Sequence, residues 1–145
     1  MPKIEKFAEE AHRFYNKVAK ECGTPQDVKH ASRVTRAVLH TLRDRISIEE
    51  SMHVIANLPM ILKGVYVDGW KINRKDNRIE TLDQFLDQVR EHTSGDPSRD
   101  FGSQQKARNT VKAVLHVLRK YIDDGELRHI QQQLPPGVAI LFDES

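Results

Sequence analysis

The sequence predicts an all-α protein of two tandem helical repeats, each with three main helices and a short tail, packed as one compact bundle. Three observations carry that expectation. Apolar residues recur at three- and four-residue spacing through most of the chain. Helix-start signals stand directly before those segments. Finally, residues 37–59 (AVLHTLRDRISIEESMHVIANLP) align without a gap on residues 113–135 (AVLHVLRKYIDDGELRHIQQQLP), at a constant offset of 76 with 11 identities in 23 positions. The matched pairs include His40/His116, Leu42/Leu118, Arg43/Arg119, Glu50/Glu126, His53/His129 and Pro59/Pro135. Chance does not produce that pattern, and a duplicated helical unit does.

The elements follow in order. A first helix runs from about Lys3 to Glu21, with Phe7, Ala11, Phe14 and Val18 on one side, and Gly23 stops it. A second starts after Thr24, with Pro25 at its first position and Val34, Val38, Leu42 and Ile46 as its stripe. A third opens on Ser47 and Glu50 as a capping box and ends at Leu58-Pro59, because the residue before proline is pushed out of the helical region. Ile61, Leu62, Val65 and Tyr66 make the first tail, and Val65-Tyr66-Val67 is the only strand candidate. The second unit starts at Thr81, where Thr81 and Gln84 form a capping box before Leu82, Phe85, Leu86 and Val89. A polar loop, 94–103, leads to a helix with Ala107, Val111, Val114, Leu118 and Ile122. The last main helix opens on Asp123 and Glu126. Pro135-Pro136-Gly137 suits a helical start less well than Pro59, so the second tail is expected to be irregular or extended. The organisation is one domain: unit 1–66, linker 67–80 and unit 81–142.

Composition limits the function classes. Of 145 residues, 38% are hydrophobic and 30% charged, which fits neither a membrane protein nor a disordered chain. The start lacks the uninterrupted apolar core of a secretory signal, so a cytoplasmic location is expected. One cysteine, Cys22, leaves no intramolecular disulfide and no multi-cysteine zinc site. The net charge is +2, but its distribution is uneven. Segments 27–45 and 104–121 carry +3 and +5, whereas 47–58, 81–93 and 123–133 each carry −2.

The combination of AVLHTLRDR, the Glu-Glu helix start, LPM and KGVYVDGW over residues 34–70 resembles an uncharacterised bacterial family, the domain-of-unknown-function family 2267. The resemblance covers roughly 10–142 and includes the second copy of the helix. It implies an all-helical bacterial cytoplasmic protein. The family has no established activity, so no functional residue is carried over.

Candidate chemistry is sparse. The matched histidines His40/His116 and His53/His129 are weak metal candidates: imidazoles converging near a pseudo-twofold axis suit zinc, nickel or copper, but no HExxH or cysteine-rich spacing accompanies them. Helical angles place His40 opposite Val34, Val38 and Leu42, hence toward solvent or a partner. Arg36, His40 and Arg43 fall at i, i+4 and i+7, and Lys112, His116 and Arg119 repeat them. Such a duplicated basic face is the candidate nucleic-acid or anion contact. The acidic helices that follow make poor base readers, with Gln131, Gln132 and Gln133 as the only plausible ones. Cys22, at a helix C-terminus, is not expected to be reactive. Neighbouring carboxylates such as Glu49/Glu50 and Asp123/Asp124 read as capping residues rather than an acid/base pair. No cofactor and no catalytic residue is expected. The preferred reading is a non-enzymatic protein-interaction or scaffold module that forms a homodimer. Its interface is expected at the linker region (Val65, Tyr66, Val67, Trp70) or the basic second helices.

Overall fold

The amphipathic stripe Ala11, Phe14, Val18 and Ala19 makes the first segment a helix, α1 (Ile4–Glu21), with that face buried. Gly23 ends it in the left-handed region at φ +79°, where a side chain is strained. The computed structural model describes residues 3–72 and 79–144; of the linker expected at 67–80, residues 73–78 lie outside them. Among the described residues there are nine α-helices, one 3₁₀ turn and no strand.

The second helix, α2 (Val28–Arg45), starts three residues later than Pro25 suggests. Gln26 sits at φ +78°, and the Asp27 side chain accepts from the His30 amide, so Asp27 supplies the cap. Then follow α3 (Ile48–Asn57), α4 (Met60–Val67), α5 (Leu82–His92), α6 (Pro97–Phe101), α7 (Gln104–Arg119), α8 (Asp124–Gln132) and α9 (Pro136–Ala139). Thr81 and Gln84 form the full reciprocal capping box of α5. The Ser47 and Asp123 side chains accept the amides of Glu50 and Glu126 at the starts of α3 and α8.

Three expectations change. Val65-Tyr66-Val67 lies in α4 and is not a strand. The polar loop 94–103 contains α6, anchored by the fully buried Phe101 and Asp100. The second tail is neither irregular nor extended: α9 leads straight into a 3₁₀ turn, Ile140–Phe142. Pro136 takes the first helical position, where no amide is needed. Gly137 lets the turn approach α5; a Cβ there would stand 3.0 Å from Leu82 Cβ.

The bundle is built around α2, which packs on α1, α4, α5, α6 and α7. It buries not one stripe but ten residues from Ala31 to Arg43. α7 packs on α1, α2, α5, α6 and the 3₁₀ turn. Leu39, Leu42, Leu115 and Leu118 are among the largest fully buried side chains of one continuous core. α3 and α8 meet at one side of the bundle.

Candidate functional site

The basic face of α2 is turned inward onto the end of α4. The Arg43 Nη1 group donates to the carbonyls of Tyr66 and Asp68, both at 2.7 Å. His40 Nε2 lies 2.7 Å from the Val65 carbonyl, and since a carbonyl only accepts, that nitrogen carries the proton. Arg36 pairs with the Asp68 carboxylate at 2.9 Å. A helix end leaves carbonyls unpaired; His40 and Arg43 satisfy them, and the charges of Arg43 and Arg36 answer the negative end of the helix dipole. The expectation that His40 faces solvent is therefore overturned: it is 4% exposed. Burial lowers its pKa to about 4, against the opposing hydrogen bond to Val65 and with help from the charges of Arg43 and Arg36. The angular argument failed because α2 is covered on opposite sides, so the side away from Val38 and Leu42 is also interior.

On α7 the matching residues behave alike. Arg119 Nη1 donates to the Phe142 carbonyl at 2.9 Å and to Asp143 at 2.6 Å. Lys112 lies 3.8 Å from Glu144, which Arg108 also holds. His116 Nδ1 lies 3.6 Å from Glu21. Tyr66 and Phe142, and Asp68 and Glu144, are again 76 positions apart. All six residues of the basic stripes thus have partners within the chain. Two of the three glutamines are engaged too: Gln131 donates to the Ala139 carbonyl and Asp143, and Gln133 accepts the Ser47 amide at 2.6 Å.

The matched histidines fare differently from each other. His40 stands edge-on to His92, at 5.8 Å between ring centres, and His92 in turn bonds Asp44. His53 and His129 do come to one place, the α3–α8 contact, where their Nδ1 atoms lie 3.4 and 3.9 Å from the two oxygens of Glu50. Among the described residues no group of three or more His, Cys, Asp or Glu is arranged to hold a metal ion. Burial, then the charge of Glu21, pushes the Cys22 thiol up to about 11.

The linker aromatics divide. Tyr66 is fully buried, its hydroxyl 2.7 Å from Ser51 Oγ, and Trp70 packs edge-on against it at 5.9 Å. Sequence reasoning missed two surfaces. One is the outer face of α3 and α4, where Ile48, Met52, Met60 and Ile61 are 49, 54, 49 and 40% exposed. Their signal was present: Ile48 and Met52 lie one turn apart, off the stripe that buries Val54. The other is a cleft beside the α1–α2 turn, walled by Lys29, His30, Arg33 and Arg99, whose members are scattered along the chain.

The fold and these surfaces define an all-helical protein whose two matched basic stripes meet carbonyls and carboxylates of the same chain. The chain belongs to the family described as uncharacterized conserved protein (DUF2267), whose model matches residues 11–141. A comparison with curated proteins finds no match. Among the described residues no helix is long and apolar enough to cross a membrane.

Proposed function

We propose that this protein is a non-enzymatic interaction module that pairs with a second copy of itself through the outer face of α3 and α4. The observation that carries the reading is the exposure of Ile48 and Met52, one turn apart on α3, together with Met60 and Ile61 at the start of α4, which packs on α3. At the positions 76 residues on, the chain has Asp124, Arg128, Pro136 and Gly137. Packing of such a helix pair therefore does not require apolar residues there, and their presence in the first unit calls for a cover. Scattered exposed apolar residues need no explanation, but a grouped set marks an interaction surface.

The corner is also rigid. Lys63 Nζ donates to the Ile55 and Ala56 carbonyls, both at 2.9 Å, closing the end of α3 against α4. That removes the nearest ammonium from the face and lowers the ordering cost of docking. An apolar face with few charges suits an isologous twofold contact, in which the same residues meet their own copies. A specific contact of this kind covers about 800 Å² per partner. The location replaces the one expected from sequence, because Tyr66 and the basic stripes are engaged inside the chain. The two-unit organisation, 1–66 and 81–142, belongs to the same proposal. It is supported by the contacts Arg43–Tyr66 and Arg119–Phe142, which keep the 76-residue offset.

Light scattering at micromolar concentration tests the reading. The expected mass is twice the 16.7 kDa of one chain. Met52→Glu with Met60→Glu should return it to one chain without loss of helical content. A mass of 16.7 kDa for the unaltered protein, unchanged on tenfold concentration, would end the proposal.

A further inference from the structure

A cleft of about 1010 Å³ opens between the α1–α2 turn, the first turns of α2, α6 and α7. Five cations line it, against two carboxylates, Glu21 and Asp27. Three of the five are tied down. Arg33 donates from Nε and Nη2 to the two oxygens of the fully buried Asp100, at 3.1 and 3.0 Å. Lys106 donates to the Arg99 carbonyl, and Lys112 lies near Glu144. The other two, Lys29 and Arg99, have exposed side chains with no hydrogen bond or ion pair among the described residues. The wall also holds His30 and His116, and each keeps one solvent-shielded ring nitrogen, Nδ1 and Nε2 respectively, with no partner.

We infer that this cleft binds a small organic phosphate, gripped by Lys29 and Arg99 at the rim and by the fixed guanidinium of Arg33. The charge surplus selects the ligand class. Asp100 and Glu144 already answer Arg33 and Lys112, so the selection falls to Lys29 and Arg99: a phosphate ester or diphosphate brings two or more charges and several acceptor oxygens to two donors at once, whereas a single carboxylate brings one charge. The volume selects the size. Clefts of about 300–1,000 Å³ hold drug-sized molecules, so bare phosphate would rattle and a duplex would not enter. The Arg33–Asp100 pair holds the wall before any ligand arrives, as a preorganised site requires. Cys22 on the same wall, its thiol pushed up to about 11 by burial and then by Glu21, stays protonated at neutral pH. The cleft therefore binds rather than attacks.

Isothermal titration calorimetry on the full chain, at about 150 mM salt, tests this with ADP, pyrophosphate and citrate as probes. ADP should bind saturably and more tightly than citrate. Lys29→Gln with Arg99→Gln should weaken ADP by about tenfold or more. Both residues are exposed, so the fold survives their loss, and a circular dichroism spectrum verifies that. A control pair outside the cleft, Lys6→Gln with Lys71→Gln, should bind as the unaltered protein does. Absence of heat with ADP would overturn the inference. So would citrate binding as tightly as ADP, an equal loss in the control pair, or a single-stranded oligonucleotide binding more tightly through the same two residues. Self-association plays no part in any of these readouts.

Discussion

The clamp on α2 and the clamp on α7 use nearly the same residues at the same spacing, yet sit in different surroundings. Arg43 is 8% exposed and reaches only backbone carbonyls, while the Arg119 side chain is 41% exposed and pairs with an exposed Asp143. His40 is enclosed with a carbonyl partner; His116 meets a half-exposed Glu21 and leaves one nitrogen unpaired. The difference comes from neighbours: α4 is a two-turn helix lying along α1 and α2, whereas the second tail is a short α9 and a 3₁₀ turn. An identical side chain thus acts as a buried cap in one place and a solvated one in the other. Motif and spacing alone do not set an interaction's strength; the cover supplied by other elements does.

The largest effect should be where the two regions agree. Leu42 and Leu118 are both fully buried, and Leu42→Ala and Leu118→Ala should each cost about 2–5 kcal/mol in chemical denaturation. A negligible cost at either position would mean that the two helices do not share the core.

The next effect belongs to the α2 clamp. The pKa of His40 is about 4 when folded, below its ordinary 6.5. The folded state therefore resists protonating it. Its contribution is complete above the unfolded value and is lost as pH falls from about 6.5 through 4. The whole loss is about 3 kcal/mol at most. Denaturant midpoints of the unaltered protein and His40→Gln, compared across that window, isolate it. Parallel curves would show that His40 is not enclosed.

Smaller still is the pair that separates the clamps directly. Arg43→Met leaves the Tyr66 and Asp68 carbonyls without their donor and should cost about 1–3 kcal/mol. Arg119→Met removes the exposed pair with Asp143 and a solvated bond to the Phe142 carbonyl, and should cost about 0–1 kcal/mol. Equal losses would remove the distinction drawn here.

The helices were legible because each carries its own apolar stripe and cap: Phe14 and Val18 in α1, Thr81 and Gln84 for α5. Residues whose surroundings come from elsewhere were not. Asp27 rather than Pro25 sets the start of α2, since the left-handed Gln26 between them turns the chain first. α6 was hidden in a polar loop because the element is fixed by Asp100 meeting Arg33, 67 residues away. Arg36, His40 and Arg43 read as an outward basic stripe because nothing local announces that other helices cover that side of α2. The cleft was illegible for the same reason: Lys29 and Arg99 come from distant segments, and only the packing of α6 beside α2 brings them to one wall.

Trp70 is the chain's one tryptophan, and it rests edge-on against Tyr66, whose carbonyl Arg43 caps. The protein therefore carries its one indole beside the α2 clamp and none beside the α7 clamp. Emission from this indole reports the loosening of α4 from α2, while far-ultraviolet dichroism weighs every helix alike. Recording both signals in one titration gives each half of the bundle its own voice without a label.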